Sequence, residues 1–82
     1  MKPTPSQIEA ESRKIRRLRA MVTLVASLLR QTDMPLVEAV RLVQAVRAQA
    51  LQLFPGREQT YDILYAPRFA RLLREKYHVI ED

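Results

Sequence analysis

Ile8, Ile15, Val22 and Leu29 stand seven residues apart, with Leu18 and Val25 filling the positions between them. No strand can use that spacing. A strand alternates every two residues, whereas a seven-residue recurrence keeps one stripe on the same side of an α-helix for turn after turn. The pattern therefore fixes a first helix of about 24 residues with a single apolar face. In its second half Met21, Leu24 and Leu28 widen the stripe, so that half is expected to be covered from two sides and to form the core.

The stop and start signals divide the rest. Ser6 with Glu9 three positions later makes a capping box that opens helix 1 at Ser6, and Thr4 followed by Pro5 is an equally lawful opening. Residues 1–5 are then expected to be a flexible tail, and 6–82 a single all-helical domain. The stretch RQTDMPL ends helix 1, because Pro35 fits only a first turn, which Thr32 or Asp33 can cap. A second helix from about Met34 to Leu53 buries Leu36, Ala39, Val40, Val43, Val46, Ala50, Leu53 and Phe54, opposite Glu38, Arg41, Gln49 and Gln52. So short a connection makes the two helices an antiparallel hairpin. Pro55 and Gly56, the only glycine, stop helix 2. Pro67 then splits the remainder into a short helix over about 58–65 and a longer one over about 67–78, packed across the hairpin. On the last helix Phe69, Leu72, Leu73 and Ile80 face one way and Arg71, Arg74 and His78 the other.

Composition limits the chemistry. Eighty-two residues with one His and no Cys offer neither a disulfide framework nor a thiolate site, and suit a reducing, cytoplasmic setting. A phosphate-cradling loop needs several glycines. Glu58 and Asp62 form an i, i+4 carboxylate pair, but at the start of a short helix such charges complement the helix dipole. His78 shares a face with arginines, which suits a solvated ring. The sequence therefore predicts no catalytic, metal-binding or cofactor-binding residues, and not an enzyme. The apolar run AMVTLVASLL is ten residues long, half of a membrane span.

Charge is the remaining sharp feature. Arg13, Lys14, Arg16, Arg17 and Arg19 are five of the chain's fourteen cations, and the other nine match its nine carboxylates, so the net charge of +5 resides in SRKIRRLRA. At about 100° per residue, the first four fall opposite Ile15, Leu18 and Val22, with Arg19 to one side. Such a face can lie against phosphates, or it can be the solvated back of an amphipathic helix. Sequence-specific DNA reading is disfavoured: the turn between helices 1 and 2 lacks glycine, and the stripes point to near-antiparallel packing where a helix–turn–helix crosses steeply. Tyr61, Tyr65 and Phe69 step at i, i+4, i+8 and suit packing better than base stacking.

Arg47 falls among Leu36, Val40, Val43 and Phe54, so its guanidinium must snorkel out or meet a carboxylate. Glu58 and Asp62 are the nearest acids along the chain, and Asp62, a full helical turn past the bend, is the expected partner. Helix 1 also outruns helix 2, leaving Ile8 and Ile15 in or near an overhang. The C-terminal segment or another chain must cover them. The function expected from this excess of stripe over core is protein–protein contact of an adaptor or regulatory kind, self-association as a homodimer included. Nonspecific nucleic-acid binding through the basic face is the alternative.

Overall fold

The computed structural model describes Lys2 and residues 4–77, and in these every regular element is an α-helix: α1 (Pro5–Gln31), α2 (Leu36–Leu53), α3 (Glu58–Leu64) and α4 (Ala66–Tyr77). Of the two openings open to α1, the structure takes Thr4 with Pro5 and not Ser6. Thr4 is the cap, its hydroxyl accepting from Gln7 N–H at 3.2 Å while its own N–H donates to Gln7 Oε1 at 2.9 Å. Pro5 at the first helical position explains the choice, since its ring presets the helical φ and it has no N–H to leave unpaired. Positions 4 and 5 thus belong to the helix and its cap, not to a tail.

At the first corner Thr32 turns extended (φ −102°, ψ 132°) and ends α1, its N–H still donating to the Leu28 carbonyl. Pro35 precedes α2 as its cap and does not sit within the first turn, and neither Thr32 nor Asp33 caps it with a side chain. The corner is held from elsewhere. Lys76, in the last turn of α4, donates to the carbonyls of Leu29 and Thr32, and the Tyr77 hydroxyl donates to the Met34 carbonyl at 2.7 Å. A cation at the C-terminus of α1 meets carbonyls that have no helical partner and opposes the negative end of the dipole.

Gly56 makes the second corner at φ +78°, a conformation that costs a side-chain-bearing residue energy. The third break falls at Tyr65, and α4 starts one residue earlier than the Pro67 rule suggests because proline is tolerated anywhere in a first turn. Ile80 and His78 lie outside the described residues.

The hairpin packs as expected, with α4 against both of its helices and α3 bridging α2 and α4. Phe69, Leu29 and Val22 are the largest fully buried side chains, joined by Leu18, Val25, Ala26, Ala39, Val46, Ala50 and Tyr61. On α2 the buried line is narrower than the stripe. Ala39, Val46 and Ala50 lie under the neighbours, Val40, Val43, Leu53 and Phe54 are half-buried, and Leu36 is exposed. Small residues along one line let α1 approach closely, which leaves the larger side chains splayed to either side.

Candidate interaction surface

Every buried residue of α1 lies at Leu18 or beyond, so nothing from Pro5 to Arg17 is buried. Length explains this. The 27 residues of α1 extend about 40 Å and the 18 of α2 about 27 Å, so the first turns of α1 project past the bundle as an arm. Ile8 is 52% exposed and Ile15 38%. Arg13, Arg16, Arg17 and Arg19 are exposed and Lys14 is half-buried. The basic stretch is thus the outer face of a helix whose inner, apolar face also lacks full cover.

Beside the arm lies a cleft of about 350 Å³. It exists because α1 and α3 never bring their Cα atoms within 8 Å of each other, while both pack against other helices. Its apolar lining comes from Ile15 and Leu18 of α1, Leu51 and Phe54 at the end of α2, and Tyr61 and Leu64 of α3; Glu11, Arg19 and Arg57 supply charge. Leu64 is 63% exposed and its neighbour Ile63 66%, which extends apolar surface outward along α3.

Two features hold the α3 wall. Arg47 of α2 grips Asp62 of α3 with Nε to Oδ1 at 2.9 Å and Nη2 to Oδ2 at 3.1 Å, a two-pronged contact that fixes the orientation of one helix on the other. The hydrogen bond from Arg47 draws the Asp62 carboxyl below its ordinary range, and the same bond, with the carboxylate's charge, raises the arginine. Tyr61 turns inward, 5% exposed, its ring 5.5 Å from that of Tyr65. Among the described residues its buried hydroxyl meets no hydrogen-bond partner, and burial pushes its pKa up against the opposing pull of Arg47.

Sequence reasoning anticipated neither the cleft nor a second basic depression, where Arg30 of α1 meets Arg68 and Arg71 of α4, with Glu75 the one carboxylate in its lining. Spacing put Arg71 on the outer face of α4, but nothing local brings Arg30 beside it. Among the described residues no three or more His, Cys, Asp or Glu side chains gather as a metal site, and no helix is long and apolar enough to cross a membrane. Comparison with known proteins adds no assignment: no family model matches the chain, nor does any curated protein or solved structure.

Proposed function

We propose that this chain is a small helical protein–protein interaction domain of adaptor or regulatory kind, cytoplasmic and without catalysis of its own, whose contact surface is the α1 arm and the cleft beside it. One observation carries the reading: the apolar face of α1 continues through Ile15 and Ile8 after its covering helices have ended, and runs directly into an apolar cleft. Contiguous exposed apolar surface rimmed by charge is the usual mark of a docking site, and a groove between helices accepts the apolar face of another helix. The test is recovery of bound protein from the native host after nuclease treatment, using the wild type, Ile15→Asp, and Arg13→Gln with Arg16→Gln and Arg17→Gln. Partners kept by the arginine variant and lost by Ile15→Asp support the reading.

A second reading has its own observation. Arg13, Arg16, Arg17 and Arg19 stand exposed on a projecting helix, a geometry open to a phosphate backbone. Nonspecific nucleic-acid binding is favoured instead if recovery depends on the arginines and is abolished by nuclease. Such binding should weaken steeply between about 50 and 200 mM salt and ignore base sequence.

A further inference from the structure

Three arginines from two helices share the second basic depression, and only one of them has a structural reason to be there. Arg30 stands in the last turn of α1, where a cation opposes the negative end of the helix dipole. Arg68 and Arg71 rise from the start of α4, three positions apart, on the face that also carries Glu75. The first turn of α4 holds no acid, so Arg68 lies at the positive end of its own helix, where a cation is disfavoured. With Pro67 and the half-buried Leu72, these side chains line a depression of about 420 Å³. All three arginines are exposed, and among the described residues neither they nor Glu75 take part in an ion pair. Like charges gathered without partners cost the fold energy, and an anion seated among them would relieve that cost.

We propose that this depression is a binding site for a phosphate monoester in its dianionic form. Three guanidiniums and one carboxylate leave two positive charges, and a phosphate monoester carries about −1.5 to −2 near pH 7. Its three terminal oxygens suit planar guanidinium forks arriving from two helices. The unopposed dipole at the start of α4 adds to the attraction. Pro67 and Leu72 offer the ester's carbon an apolar rest. The cations are placed before any ligand arrives, because Lys76 and Tyr77, later on α4, bind the corner between α1 and α2 and fix where α4 crosses Arg30. The site is separate from the basic stretch of α1, since Arg30 follows Arg19 by eleven residues, roughly 16 Å of helix. The ester can belong to a phosphorylated side chain of another protein or to a small molecule; the group recognised is the same.

NMR titration of the isotope-labelled full chain at constant ionic strength tests this, with glycerol 2-phosphate, a capped phosphoserine tripeptide and its unphosphorylated counterpart as probes. Saturable shifts in residues 30 and 66–72 are expected with the two phosphate esters and none with the unphosphorylated peptide. Affinity should fall as pH drops below about 6, where the ester takes up a proton and becomes a monoanion. The same fall is expected in Glu75→Gln, because the proton is the ligand's, and that variant should bind more tightly than wild type at pH 7. Arg68→Gln with Arg71→Gln should weaken binding by about tenfold or more while melting as wild type does. Arg13→Gln with Arg16→Gln and Arg17→Gln should leave binding unchanged. A phosphopeptide that binds about tenfold more tightly than glycerol 2-phosphate supports the site and assigns it to a phosphorylated protein; equal affinities support it with the phosphate group as the whole determinant. Shifts that fail to saturate, that persist in the Arg68 and Arg71 variant, or that ignore pH between about 5 and 7 overturn the proposal, as does tighter binding of a phosphodiester oligonucleotide through the same residues.

Discussion

Arg47 of α2 meets both carboxylate oxygens of Asp62 on α3, across the bend that Gly56 makes. Both side chains are close to half exposed, 42% and 47%, so the pair orients more than it stabilises. The pH dependence follows from its sign. Asp62 is held below its ordinary range, so its contribution is present above the unfolded-state value of about 3.9 and fades as pH falls through the folded one. Thermal melts of wild type and Asp62→Asn should differ by a small, constant amount from about pH 5 to 8 and converge in stronger acid. Arg47→Lys should behave like Asp62→Asn, since an ammonium cannot reproduce the fork.

Tyr61→Phe should raise stability. The hydroxyl is buried without a partner among the described residues, and an unsatisfied polar group costs roughly 1–3 kcal/mol. Removing it is expected to give a gain of about 1 kcal/mol, or some 4–8 °C in Tm for a domain of this size. A lower Tm in Tyr61→Phe would mean the hydroxyl has a bonding role.

Lys76→Met should loosen the first corner. The ammonium holds two carbonyls at the end of α1, Leu29 and Thr32, and hydrogen bonds to a charged donor contribute about 1.5–3 kcal/mol. A loss of about 2 kcal/mol in chemical denaturation is expected, with faster amide exchange in residues 29–35. Unchanged exchange there would show the clamp to be dispensable.

Val25→Asp should unfold the domain, because Val25 is 5% exposed and an unpaired buried charge costs several kcal/mol against a total stability of about 5–15. Val43 is only half-buried, so Val43→Asp can reach water and should cost less than half as much. Equal effects by circular dichroism would mean that α2 is rotated from the orientation described.

What the sequence revealed was whatever is encoded in periodicity and punctuation. Ile8 through Leu29 gave α1, Pro35 and Gly56 gave the corners, and the odd placement of Arg47 on its helix pointed to Asp62. The sequence offered both Ser6 and Thr4 as openings of α1 and could not choose between them, because two lawful caps two residues apart differ only in how well Pro5 fits the first turn. Leu36 and Val43 were over-assigned to the core, since a stripe shows which side faces inward but not how close the neighbour comes. The cleft was invisible for a related reason: it is a gap between α1 and α3, set by where α2 ends and by how α3 is tied to it. The grouping of Arg30 with Arg68 and Arg71 likewise needs the return path of α4.

The central proposal, that the α1 arm and its cleft form a protein-binding surface, is tested most directly by a photo-cross-linking residue placed at position 15 of the otherwise intact chain. Irradiation in the native host after mild nuclease treatment, followed by mass measurement, reads what touches Ile15. Protein adducts are expected at position 15, with little from the same probe at Thr23, which is exposed on another side of α1. Adducts dominated by nucleic acid, or an unmodified monomer at both positions, would contradict it.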